Sequence, residues 1–222
     1  METNSVVIGG TGGVGAALVS ALRGRGGEVI SLGRSTGLDL LDEASIAAAV
    51  AGLVAPPDLV IDATGFLHDG RFSPERGWRD LDPAHMAHAF AINAVGPALL
   101  MKHFLPALPR DRRAVFASLS ARVGSIGDNR LGGWYSYRAS KAALNQLVRC
   151  AAIELARRNR QAVCVAVHPG TVDTGLSGPF AKSGLDVQTP AASAARILAV
   201  LDGLTAAESG GFFDHLGKPV PY

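Results

Sequence analysis

Short apolar runs alternate with Ala/Leu-rich stretches along this chain, and that alternation limits the possible folds more than any other feature. The runs are SVVIGG (5–10), EVISLG (28–33), DLVIDATG (58–65), RAVFASLS (113–120) and AVCVAVHPG (162–170). Each is β-branched or apolar, and each closes on turn residues. Helical spacing falls between them, over 14–24, 42–52, 84–108 and 137–159, with a further stretch at 190–202. A strand that reads as a continuous apolar run is buried on both faces, and a helix between two strands makes their pairing parallel. The expectation is one doubly wound α/β domain over 1–222, a parallel sheet with helices on both faces. The Gly/Ser-rich piece 175–186 reads as a mobile loop inside that domain.

Composition narrows the setting. With 222 residues, 48% of them hydrophobic, the chain can bury an ordinary core and is not a disordered one. A net charge of +2 gives no case for nucleic-acid or membrane binding. The basic clusters at 110–113 and 157–160 each follow a predicted helix, where cations complement the helix dipole. Cys150 and Cys164 lie in apolar runs, which points to a reducing, cytoplasmic compartment rather than a disulfide scaffold. The first strand begins at once, leaving no room for a signal peptide, and no apolar run approaches the ~20 residues that span a bilayer.

The first run ends in GGTGGVG, a glycine-rich turn leading into a helix. Without Cβ atoms the backbone can approach a pyrophosphate, and the helix N-terminus supplies N–H donors and a positive dipole. A strand, this turn and a helix in that order predict a nucleotide site at Gly9, Gly13 and Gly15. Further on, YSYRASKAAL (135–144) sets Tyr137 and Lys141 four residues apart, on one face of a helix beginning near Tyr137. By itself that spacing is an ordinary surface pair. A phenol with an ordinary pKa of about 10 is a poor base at neutral pH, and an ammonium one turn away favours its phenolate.

The G-x-x-x-G-x-G turn and the Y-x-x-x-K stretch together resemble the short-chain dehydrogenase/reductase family, over nearly the whole chain. The stretches LSARVGSIGDN and GGWYSYRASKAALN look nearest to its C-factor and sniffer-like carbonyl reductases. The resemblance implies a Rossmann-type NAD(P)-binding domain that passes hydride between a nicotinamide and a carbonyl carbon. It implies that Gly9, Thr11, Gly13, Val14 and Gly15 hold phosphates, and that Asp39 and Leu40 border the adenine. DATG, containing Ala63, Thr64 and Gly65, stands where the family usually has NNAG, so Asp62 and Thr64 depart from the pattern. Pro169, Gly170, Val172 and Thr174 match the segment that holds the carboxamide. The ending GGFFDHLGKPVPY resembles the family's last strand and tail.

Four catalytic residues follow from the same resemblance: Tyr137 as general acid/base, Lys141 to tune it and bind ribose, a serine to orient the substrate oxygen, and Asn93 in a proton relay. Counting back from Gly124, Ser120 matches the first serine of the SSxxG pattern, and the usual catalytic position falls on Ala121. Ser120 is therefore preferred, with Ser118 and Ser125 as the other candidates. Asn93 also has an argument of its own. Pro97, inside a helical pattern, has no N–H for the Asn93 carbonyl, which leaves that oxygen free for a water.

The second run ends in SLGRS, with no carboxylate for a ribose 2′-OH. Arg34 and Ser35 there suit a 2′-phosphate, so NADP(H) is expected over NAD(H). Gly12 stands where many NADP-preferring relatives carry a second basic residue. The expected partners are a small carbonyl or alcohol substrate and further copies of the chain, as homodimer or homotetramer. No metal is expected, since His85 and His88 have no third ligand and read as solvated. An extended-branch epimerase would need a sizeable C-terminal substrate domain. A cofactor-binding signalling protein stays open.

Overall fold

The computed structural model describes residues 4–180 and 186–222. Its strands are β1 (Asn4–Ile8), β2 (Glu28–Leu32), β3 (Leu59–Asp62), β4 (Ala114–Leu119), β5 (Ala162–His168), β6 (Thr171–Val172), β7 (Val187–Gln188) and β8 (Phe212–Asp214). Its α-helices are α1 (Gly13–Gly24), α2 (Glu43–Ala51), α3 (Pro83–Phe90), α4 (Gly96–Ala107), α5 (Tyr135–Ala156) and α6 (Pro190–Gly203). Six strands form one parallel sheet in the order β2-β1-β3-β4-β5-β8. The chain reverses its direction of travel across the sheet between β1 and β3, the switch point where doubly wound sheets open a crevice.

Period-two alternation divides the core into two layers. Val6, Ile8, Val60, Phe116 and Cys164 face α2, α4 and α5 through Ile46, Leu100, Phe104, Leu144 and Val148. Val7, Ile61, Val115, Val163 and Val165 face α1 and α6 through Leu18, Leu22, Ile197 and Leu201. Each wholly buried side chain contributes about 1.5–3 kcal/mol of transfer free energy. This explains why β1, β3, β4 and β5 read as unbroken apolar runs, with little of either face meeting water. β2, on the sheet edge, has no buried residue, contrary to the expectation from its run.

The predicted helices are present, with shifted ends. Asp42, Asp82 and Thr189 cap α2, α3 and α6 by accepting from backbone N–H groups. The predicted helix 84–108 is continuous over Pro83–Ala107 but contains a π turn at Ala91–Val95. There Gly96 N–H donates to Ala91 O, five residues back, one turn before Pro97. The helical run is 25 residues and apolar enough by length and composition to cross a bilayer, contrary to the expectation from the sequence. It lies instead against the sheet, with Leu100 and Phe104 fully buried.

A two-stranded parallel pair, β6 with β7, flanks the segment expected to be a loop, and nothing in the sequence pattern announced it. Of the loop expected at 175–186, residues 181–185 lie outside the described residues.

Candidate active site

The turn after β1 is built for close approach. Gly9 has φ of +78°, and a Cβ there would lie 3.1 Å from the Ala63 backbone and from Thr64 Cγ2. A Cβ on Gly13 would come within 2.5 Å of Thr174 Cγ2, and one on Gly15 within 2.1 Å of Gly9 O. The turn therefore touches both the DATG segment and the stretch after β5. Gly12 is the N-cap of α1 and gives no side-chain cap, and the first turn holds no acidic residue. Its free N–H groups and dipole favour an anion. Val14 packs into the core beside this end, and Thr11 is exposed.

The neighbouring crevice brings together two of the predicted catalytic residues, Asn93 and Lys141. A Cβ on Gly65 would sit 3.7 Å from both Asn93 Oδ1 and Lys141 Nζ. Asn93 is fully buried: Oδ1 accepts from Phe66 N at 2.7 Å, and Nδ2 donates to Phe66 O at 2.8 Å and Ser140 Oγ at 3.0 Å. Its side chain ties the loop after β3 to α5. Lys141 is buried too, and Nζ donates to Leu119 O at 2.8 Å.

α5 begins at Tyr135, near the expected start, and Lys141 is buried. One expectation about the Tyr–Lys pair needs correction: the phenol is not drawn toward phenolate. Burial pushes Tyr137 up to about 12, while burial pushes Lys141 down to about 8 against the pull of Asp62. With its ammonium on Leu119 O, Lys141 does not offset the desolvation of the phenol. At neutral pH Tyr137 is thus a protonated acid beside a mostly charged lysine.

The three candidate serines have separate partners. Ser118 Oγ donates to Asp62 Oδ2 at 2.6 Å, and Ser125 Oγ accepts from Asp128 N at 3.1 Å. Ser120 is buried, and its hydroxyl donates to Asn145 Oδ1 at 2.6 Å. Ser120 follows Leu119, whose carbonyl holds Lys141, and its own proton is turned into α5.

Around this centre the remaining predicted residues spread out. Pro169 O accepts from Ser193 Oγ at 2.8 Å, Gly170 has φ of +83°, and Val172 is buried in β6. Thr174 Oγ1 shares a hydrogen bond with Ser177 Oγ at 3.1 Å. Leu40 packs on the core. Arg34, at the start of the one-turn helix Arg34–Thr36, and Ser35 are exposed, and Arg34 forms no ion pair among the described residues. Asp39 turns back on its own loop, accepting from Leu41 N at 2.9 Å.

Pattern reading missed Glu75. It is buried, accepts from Ser136 N at 3.2 Å with both oxygens and from the Ser136 hydroxyl, and lies 3.4 Å from His85 Nδ1. Its backbone oxygen accepts from Trp134 N at 2.6 Å, holding Trp134 at φ of +52°. Trp134 itself gives α5 no side-chain cap, so a loop some sixty residues earlier supplies one. His85 is not solvated as expected: it is buried and stacks on Phe72 at 5.0 Å. No group of three metal-binding side chains occurs among the described residues. The Trp134 ring packs edge-on to Tyr137 at 6.2 Å and to Phe180 at 5.3 Å, forming an aromatic wall beside the phenol.

Comparison with known proteins agrees with this geometry. A family model described as enoyl-(acyl carrier protein) reductase matches residues 6–199. C-signal of Myxococcus xanthus is 42% identical over 144 residues, covering 64% of this chain and 82% of its own. The NADPH-bound carbonyl reductase from chicken fatty liver superposes with a TM-score of 0.86 at 26% identity, covering 100% of this chain and 99% of its own. Carbonyl reductase Sniffer of D. melanogaster superposes with a TM-score of 0.85 at 20% identity over the full length of both chains. The chain belongs to the short-chain dehydrogenase/reductase family of oxidoreductases.

Proposed function

We propose that this chain, acting over 1–222 as one cytoplasmic NADP(H)-binding unit, reduces a carbonyl to an alcohol or runs the reverse oxidation. The observation that carries the reading is the protonated phenol of the half-buried Tyr137 one helical turn from Lys141, whose ammonium shares a crevice with Asn93 beside a Cβ-free turn. When bound, the nicotinamide cofactor supplies the hydride. Tyr137 gives the carbonyl oxygen its proton in the reducing direction, or takes one from the alcohol. Ser120 polarises that oxygen by rotating its hydroxyl away from Asn145. Lys141 donates to ribose hydroxyls and holds positive charge near the phenol. Asn93 fixes the loop at Phe66, and its carbonyl, opposite Pro97, holds the first water of a proton relay. A screen of aldehydes and ketones with NADPH consumption followed would test the reading. NADPH binding without turnover across that panel would favour a signalling role, which the likeness to C-signal supports.

The 2′-phosphate falls to Arg34, a fixed cation with planar donors. NADPH is the ligand of the chicken carbonyl reductase, which supports the same preference. Gly12 brings no second cation, so one charge-assisted contact, worth about 1.5–3 kcal/mol, sets a preference of roughly tenfold to a hundredfold. Arg34→Ala is expected to weaken NADPH binding by that factor and leave NADH binding unchanged. A wild-type protein with the lower dissociation constant for NADH would overturn the assignment.

Self-association as a homodimer or homotetramer uses the α4–α5 face. A groove of about 420 Å³ runs there between Met101, Leu105, Leu147 and Ala151. Ile153 is 47% exposed nearby, while Ala152 is committed to the chain's own core. Light scattering at micromolar concentration should give at least twice the 22.9 kDa of one chain. A monomer there would reject this part of the reading.

A further inference from the structure

We infer that Asp62 is the buried counter-charge of Lys141, a positioning residue that keeps the lysine an ammonium inside the crevice. Asp62 ends β3 and is 1% exposed, and Lys141 is 3% exposed. Among the described residues neither has an ion-pair partner within 4 Å. Each is tied to one of two consecutive residues at the end of β4. Asp62 Oδ2 accepts from Ser118 Oγ at 2.6 Å, and Lys141 Nζ donates to the carbonyl of the next residue, Leu119, at 2.8 Å. The register sets Asp62 opposite Ser118 on adjacent strands, which run about 4.8 Å apart.

Asp62 accepts three hydrogen bonds, the other two from Thr64 N at 3.0 Å and Thr64 Oγ1 at 2.5 Å. That acceptor-only pattern is the one an ionised carboxylate makes. The other groups facing Lys141 bring no negative charge: Tyr137 on α5 is a protonated phenol, Asn93 from the π turn is neutral, and β4 offers a carbonyl. Glu75, at the start of α5, is engaged by Ser136 and His85, and Arg138 donates to Gly133 O and Val123 O. Asp214 is buried on β8, two strands from β4 in the sheet. A lone buried ammonium carries a large desolvation penalty, and a carboxylate bridged to it through two residues offsets part of it. The pull of Asp62 on Lys141 against burial has that sign.

The departure from NNAG is thus an electrostatic change, and its effect on turnover rests on the reductase reading above. Asp62→Asn keeps the shape, since the amide can donate to Ser118 Oγ and its oxygen still accepts from Thr64. The titration of Lys141 is followed by NMR of lysine 13Cε in the cofactor-free protein, and the alkaline limb of kcat/KM with NADPH is followed in parallel. Asp62→Asn should lower the Lys141 midpoint by about one pH unit, with the limb following it. Ser118→Ala, which removes a hydrogen bond and keeps the charge, should leave the midpoint in place. An unmoved midpoint in Asp62→Asn, or an equal fall in Ser118→Ala, overturns the inference. So does a wild-type midpoint near 6, where a buried lysine without a counter-charge titrates. A wild type that binds NADPH but turns nothing over refutes the reductase reading and leaves the titration test intact.

Discussion

Tyr137→Phe is expected to cut carbonyl turnover by roughly a hundredfold to ten-thousandfold while NADPH affinity stays nearly unchanged. Phenylalanine keeps the ring, its edge contact with Trp134 and the helical position at the start of α5. Only the hydroxyl proton is lost, so binding survives and the proton-transfer step does not. The sign of the pH dependence follows from the two neighbouring groups. With burial holding Tyr137 near 12, the phenol stays protonated across the working range, and reduction has its acid available throughout. Lys141, pushed down to about 8, loses its charge first, so the alkaline fall in activity should begin near pH 8. Steady-state kinetics on a good substrate with a separate NADPH titration would check this. A variant that keeps most of its activity would remove Tyr137 from the chemistry.

The layering of the sheet was legible because burial leaves a period. Val6 and Ile8 face one helical layer and Val7 the other, so the run had to be apolar throughout. The glycine turn was legible for the same kind of reason, since close approach admits no other residue at Gly15. The direction of a buried hydrogen bond leaves no such trace. Spacing set Tyr137 and Lys141 on one face of α5, but the choice of Leu119 O as acceptor depends on β4 ending beneath that face. The expected lowering of the phenol therefore became a raising. Glu75 was invisible because its partner Ser136 lies 61 residues on, across a loop with no period. His85 shows the same limit: helical spacing put it one turn from His88, and only the loop bearing Phe72 and Glu75 decides that it is buried.

Gly15→Ala should lose more than about a hundredfold in NADPH affinity and lower thermal stability as well. The added methyl would lie 2.1 Å from Gly9 O, 2.9 Å from Gly9 C and 3.1 Å from Gly10 Cα. All three are backbone atoms of the turn, so no side chain can swing aside, and α1 must move off the end of β1. Overpacking of this kind costs about 1–3 kcal/mol of stability. Moving the turn also withdraws N–H donors from the anion site at the start of α1. Charge-assisted hydrogen bonds are worth about 1.5–3 kcal/mol each, so losing two exceeds a hundredfold. Gly24→Ala is the control, because it lies at the other end of the same helix with nothing within 4 Å of its Cβ position. There alanine should bind NADPH as the wild type does and gain a few tenths of a kcal/mol or more of stability, since glycine is the poorer helix former. A Gly15→Ala protein that melts and binds NADPH like Gly24→Ala would show that the turn does not hold the cofactor.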